Sequence, residues 1–170
     1  YGPLHELFGG ADGLDAESAV AAFDRFRVLC AVRKGPDGVE RWNERLQQWV
    51  VGELRDGKPR AVMITVNDHA SGLCNGDTGL VLPAGDGSGL FHSSEGTRWP
   101  ASLLPPGEPG WAITIHKSQG SEYGNVAIVV PRHGGERLLT RRLLYTALTR
   151  ARERVFIIAA EEALRKAIAT

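Results

Sequence analysis

An α/β fold, with a mostly parallel sheet flanked by helices and a small β-rich insertion, is what the sequence predicts, and three observations carry it. Short continuous apolar runs recur, RVLCAV at 27–32 and AVMITV at 61–66 among them, as strands buried on both faces do. Between them lie stretches with apolar residues three and four apart, the helical period. Residues 75–110 then change character: Asn75-Gly76 and Gly85–Gly89 are turn signals, apolar runs shorten and prolines crowd together. Buried strands alternating with helices give a parallel layer with helices packed on it.

Each element follows from local pattern. Residues 1–14 are glycine-rich and read as loop. A helix is predicted from Asp15 to Phe26, with Asp15 as N-cap and Ala19, Ala22, Phe23 and Phe26 inward. The strand 27–32 follows, then the turn GPDG. Val39, Trp42, Leu46, Trp49 and Val50 then mark the inner face of a helix running to about Leu54. After the strand 61–66 and the insertion come strands at 111–115 and 126–130, a helix at 138–150, a strand at 154–159 and a last helix from Glu161.

Composition excludes several classes. The chain has 170 residues, enough for one domain with its own core, and 42% hydrophobic with 24% charged residues is ordinary for a globular protein. Twenty Lys and Arg balance twenty Asp and Glu, so the chain as a whole is no basic nucleic-acid glue. Cys30 and Cys74 lack metal-ligand spacing, and Cys30 sits in an apolar run as a small core residue. No run approaches the roughly 18 apolar residues of a membrane span, and no signal peptide is evident, so the compartment reads as cytosolic. Tyr1 is no natural start, which predicts a fragment.

The stretch WAITIHKSQGSEY, 111–123, carries the chemistry. An apolar strand breaks into His116, Lys117, Ser118, Gln119, Gly120, Ser121 and Glu122 before the next apolar run. In open parallel sheets ligands gather at the carboxyl ends of strands, where such a loop is expected; an ordinary surface turn is the alternative. Arg150 lies seven residues after Leu143 and three after Ala147, on about the face those residues bury. There a guanidinium either finds an anion or serves the helix's last carbonyls; spacing leaves both open. Residues 132–154 hold seven arginines against two glutamates, a local basic stretch suited to phosphate. Gly52 to Pro59 nearly spells a phosphate loop, but it follows a helix, precedes a strand, and has Pro59 in place of the hydroxyl. No acidic metal site is visible. A hydrolase built on His116 and Ser118 fails for want of a G-x-S-x-G elbow.

These residues match a family. WAITIHKSQGSEYGNVAIVVP, 111–131, resembles motif V of superfamily 1 DNA helicases, and LLYTALTRARERVFIIA, 143–159, resembles motif VI. RVLCAVRKGPDGVERWNERL, 27–46, is similar to the motif IV region, and VMITVNDHASGLCNGDTGLV, 62–81, looks most like the RecD-like branch. The resemblance covers nearly the whole chain. It implies the second of two RecA-like motor domains, from 1–74 and 111–170, with 75–110 as an SH3-like insertion. ATP would lie between the two domains, with the phosphate loop and Mg2+ held by the N-terminal one, which this sequence lacks. The implied parent is an ATP-dependent 5′–3′ helicase on single-stranded DNA, acting in recombination and double-strand break repair, cytoplasmic and nucleoid-associated in a bacterium, with RecB and RecC type subunits as possible partners.

By the same resemblance Arg150 matches the arginine that reaches the γ-phosphate, and Arg33 a second arginine of similar role. Glu122 matches a carboxylate near the ribose, and Gly120 a close backbone approach to nucleotide. Thr114, His116, Lys117 and Ser118 sit where the family contacts DNA or relays between DNA and ATP; Asn67 and Asn75 are further DNA contacts. A module that binds DNA or a partner without turnover is the alternative.

Overall fold

The computed structural model describes residues 1–9, 15–52, 58–84, 88–132 and 138–170. Helices α1 (Gly2–Gly9) and α2 (Ala16–Arg25) lead into β1 (Phe26–Cys30) and α3 (Val39–Val50). Five strands follow: β2 (Arg60–Ile64), β3 (Thr78–Pro83), β4 (Gly89–Ser93), β5 (Arg98–Pro100) and β6 (Gly107–Pro109). The remainder is β7 (Ala112–Thr114), β8 (Tyr123–Val129), α4 (Arg141–Leu148), β9 (Ala151–Ile158) and α5 (Glu161–Ala169). The chain divides into two compact units, Tyr1–Asp24 with Arg45–Trp111, and Arg25–Glu44 with Ala112–Thr170.

The second unit holds a four-stranded, wholly parallel sheet in the order β7-β1-β8-β9. Its centre is apolar on both faces: Val28, Leu29, Cys30, Val126, Ile128 and Val129 are all buried. Removing each of the larger side chains from water contributes roughly 1.5–3 kcal/mol. The outer side of β7 is closed by an asparagine. Asn43 of α3, 4% exposed, donates from Nδ2 to the Ala112 carbonyl at 2.8 Å and accepts from the Ala112 N–H at 2.9 Å. Its amide thus stands in for a neighbouring strand. At the opposite side β9 is exposed along nearly its whole length, with Phe156 at 49%. Helix α4 starts at Thr140, whose hydroxyl accepts from the Leu143 N–H, and buries Leu143, Leu144 and Ala147. The expected helix 138–150 is therefore shorter at both ends.

The first unit is built on a five-stranded antiparallel sheet, β5-β4-β3-β2-β6. Val62, Ile64, Leu73, Val81 and Phe91 form its core. Gly79 of β3 has no room for a side chain, because a Cβ would lie 2.2 Å from the His92 carbonyl oxygen. Here the structure departs from expectation: β2, predicted for the parallel layer, pairs with β3 and β6. A strand buried on both faces reads alike in either kind of sheet, so the run 61–66 carries no signal of its partners.

Two further differences lie in this unit. Residues 2–9 are helical, where glycines suggest loop; Pro3 falls in the first turn, where its missing N–H costs nothing. Residues 10–14 lie outside the described residues, as do Glu53 to Gly57 of the expected helix end and rejected phosphate loop. Tyr1 packs edge-on to Trp111 at 5.5 Å between ring centroids, and Phe23 does likewise at 5.7 Å. Trp49, expected inward, is 52% exposed and stacks on His5. Asp15 caps α2 as expected, accepting from the Ser18 N–H at 3.0 Å. Cys30 is buried and Cys74 exposed, both as free thiols.

Candidate functional site

Parallel strands give the second unit's sheet two unlike edges, and the polar stretch after β7 runs from one to the other. At the carboxyl edge, Thr114 ends β7 level with Cys30 of β1. The chain turns at once into a 3-10 turn over His116–Ser118. Thr114 Oγ1 accepts from the Lys117 N–H at 3.2 Å, and Ser118 Oγ donates to the Ile115 carbonyl at 2.7 Å. His116 and Lys117 are exposed, while Ser118 is 0% exposed. Ser118 therefore closes the turn and offers no surface for direct contact with DNA, which corrects that part of its expected role.

Beyond the turn, Gly120 has φ +89°, a backbone region that side chains disfavour. A Cβ there would meet nothing within 4 Å, so the demand for glycine comes from the backbone and not from crowding. Ser121 donates its N–H to the Ser118 carbonyl at 3.1 Å, and Tyr123 opens β8 by donating to the Arg150 carbonyl at 2.8 Å. Gly120 to Glu122 thus lie toward the amino edge. Only 114–118 occupy the carboxyl-end position that parallel-sheet ligand sites suggest.

Arg150 sits at that amino edge, between the end of α4 and the start of β9, and is half-buried. Nε donates to the Thr146 carbonyl, one Nη to the Ser121 carbonyl and the other to Thr149 Oγ1, each at 3.1 Å. The reading in which this arginine serves the helix's last carbonyls is thus realised in part. The Ser121 bond goes further and ties the helix end to the polar segment. A guanidinium carries five N–H donors, so after these three bonds two remain for an anion.

Glu122 Oε2 accepts from Arg152 Nε at 2.8 Å, and both side chains are more than half exposed. An ion pair in that setting is worth little to stability, which leaves the carboxylate able to exchange partners. Arg33 lies three residues past β1 at the carboxyl edge, 3.7 Å from Glu40. A seven-residue strand such as β8 is roughly 20 Å long, so Arg33 and Arg150 are not brought onto one phosphate. Asn67 and Asn75 belong to the first unit, where Asn67 Oδ1 accepts from the Asn75 N–H at 2.8 Å and both residues are exposed.

Sequence reasoning missed Thr146, Thr149 and Ser121 around Arg150. Two of the three act through main-chain carbonyls, which leave no trace in residue identity. Thr149, a hydroxyl directly before the arginine, was the available signal. Among the described residues no group of three or more His, Cys, Asp or Glu side chains converges on a metal position, and no helix is long and apolar enough to cross a membrane.

Helicase relatives share this arrangement of strands and motifs. Residues 109–158, which include the polar segment, Arg150 and β9, match the UvrD-like helicase C-terminal domain family. The fold agrees with a Bacteroides Pif1 helicase solved with ADP-AlF3 and single-stranded DNA, at a TM-score of 0.56 and 20% identity, over 95% of this chain and 46% of that one. Over residues 109–158 the chain thus resembles the C-terminal domain of UvrD-like helicases, and its fold agrees with that of a Pif1 helicase.

Within that class its likeness is to the RecD type. It is 41% identical to the RecBCD enzyme subunit RecD of Mycolicibacterium smegmatis over 91% of its length, and 37% identical to the ATP-dependent RecD2 DNA helicase of Deinococcus radiodurans over 76%. It spans 28% of the first relative and 19% of the second.

Proposed function

We propose that this chain supplies the second motor domain of an ATP-dependent 5′–3′ DNA helicase of the RecD type, working in recombination and double-strand break repair. ATP binds between this domain and an N-terminal motor domain of the same protein, which holds the phosphate loop and Mg2+. Residues 1–74 and 111–170 are assigned to the motor domain and 75–110 to an SH3-like insertion, with one adjustment at residues 60–64. Since β2 hydrogen-bonds to β3 and β6, residues 60–64 sit with the insertion's sheet. Single-stranded DNA is the track, RecB and RecC type subunits are candidate partners, and the setting is the bacterial cytoplasm beside the nucleoid.

The observation that carries this reading is Arg150, held on three acceptors with two N–H donors left over. A guanidinium fixed before the reaction stabilises charge on a transferring phosphoryl group without reorganising first. Glu122 and Gly120 stand on the same edge, suited to the nucleotide. Thr114, His116 and Lys117 stand on the other, suited to the DNA backbone, and Ser118 links the two along the segment. The exposed Asn67 and Asn75 of the first unit are assigned as further DNA contacts. Arg33, at the carboxyl edge, is assigned to DNA or to the neighbouring motor domain in place of the γ-phosphate.

The test is Arg150→Ala in the full-length protein. It should fold, bind single-stranded DNA as before, and lose hydrolysis by roughly 10³–10⁵-fold. Arg150→Lys should rescue poorly, because an ammonium lacks the planar fork. A destabilised variant whose folded fraction still hydrolyses ATP, with rescue by Lys, would make Arg150 a helix-capping residue and favour a module that binds without turnover.

A further inference from the structure

We infer that Thr149 is the positioning residue of Arg150, fixing the direction in which the guanidinium offers its remaining donors; this rests on the proposed γ-phosphate role. The hydroxyl of Thr149 donates to the Thr146 carbonyl at 3.0 Å, which aims its oxygen lone pairs outward, and it accepts from Arg150 Nη2 at 3.1 Å. The same Thr146 carbonyl accepts from Arg150 Nε at 3.1 Å. Thr146, Thr149 and Arg150 therefore close a small ring of hydrogen bonds that holds both the Nε side and one Nη of the fork. The Ser121 carbonyl holds the other Nη from across the segment.

An arginine side chain has several rotatable bonds and loses substantial freedom when ordered. Bonds from Nε and Nη1 alone would orient the plane, but the Nη2 bond to Thr149 stops it tilting about the Nε–Nη1 side. Thr149 is exposed and adds nothing to the core, so its stability contribution is small. Its chemical contribution is to keep the two remaining N–H groups in one place. Valine at 149 has a similar shape and neither donor nor acceptor, whereas serine keeps the hydroxyl.

Four measurements separate this from a turn-closing role. In the full-length protein, Thr149→Val should lower kcat for ATP roughly 10- to 100-fold, the scale of one hydrogen bond to a charged group, with KM for ATP and DNA affinity nearly unchanged. Thr149→Ser should retain most turnover. On an Arg150→Ala background Thr149→Val should cause no further loss, because the residue acts only through that guanidinium. In the full-length protein, nuclear magnetic resonance of the Arg150 Nε–H should show a restrained group in wild type and Thr149→Ser and a mobile, faster-exchanging one in Thr149→Val. Turnover of Thr149→Val within about twofold of wild type, a further loss on the Arg150→Ala background, or an unchanged Nε–H signal would each overturn the assignment. Near-normal hydrolysis by Arg150→Ala itself would instead overturn the γ-phosphate reading, and this inference with it.

Discussion

At the carboxyl edge of the parallel sheet, β7 ends in a tight turn that leaves His116 and Lys117 exposed; at the amino edge, Arg150 is half-buried and held on three acceptors. Both places carry basic side chains on loops, yet they are prepared differently. A pinned guanidinium has already lost its freedom, so its interaction with an anion is available at the moment charge moves. An exposed lysine or histidine is ordered by what it meets, which suits recognition of a flexible strand. Under the proposed function, this difference fits chemistry at one edge and sensing at the other.

Loss of either edge should therefore look different. ATP hydrolysis without DNA should collapse in Arg150→Ala on the scale given above, but change less than about threefold in His116→Ala or Thr114→Ala, which should instead lose most of the DNA stimulation. Equal losses in both assays for the His116 and Thr114 variants would erase the distinction.

A smaller effect is expected where β7, the strand that presents the turn, is closed on its outer side. Asn43→Ala leaves the Ala112 N–H and carbonyl without their partner and should cost about 2–4 kcal/mol in urea unfolding. A cost near zero would mean that water closes that strand as well as the amide does. Between the edges, Gly120→Ala should cost about 1 kcal/mol from its φ of +89° alone, since a methyl group there meets nothing. A much larger cost would reveal crowding at the segment. Smallest in stability is Glu122→Gln, which removes an exposed pair with Arg152 and should shift unfolding by under ~1 kcal/mol. Its expected signature is a raised KM for ATP; an unchanged KM would remove Glu122 from the nucleotide's surroundings.

The parallel strands were legible because each is a continuous apolar run too short for a helix, and α2 because Asp15 caps it. What could not be read is which neighbours a buried run acquires. RVLC at 27–30 is central and buried, whereas RVFII at 154–158 has much the same composition and lies exposed at the sheet's outer side. The run 61–64 joined the antiparallel sheet for the same lack of signal. At the site, spacing singled out Arg150 with two roles open, and the resemblance to helicase motifs added Gly120 and Glu122. Arg33 was linked to Arg150 through the resemblance alone, and in the parallel sheet it follows the carboxyl end of β1 whereas Arg150 precedes β9. The bonds that hold Arg150 were invisible because carbonyl oxygens belong to every residue.

The two free thiols give this chain a built-in reporter. Burial, with Asp37 nearby, pushes the Cys30 thiol up to about 12, so at neutral pH it stays protonated inside the sheet and inert to alkylating dyes. Cys74 is the sole other cysteine, exposed on the loop that carries Asn75, whose backbone N–H is held by Asn67. A maleimide fluorophore added to the unaltered sequence should therefore settle on Cys74 alone. It would place a probe beside two of the residues proposed to meet DNA, and binding could be followed as a change in emission without mutating anything.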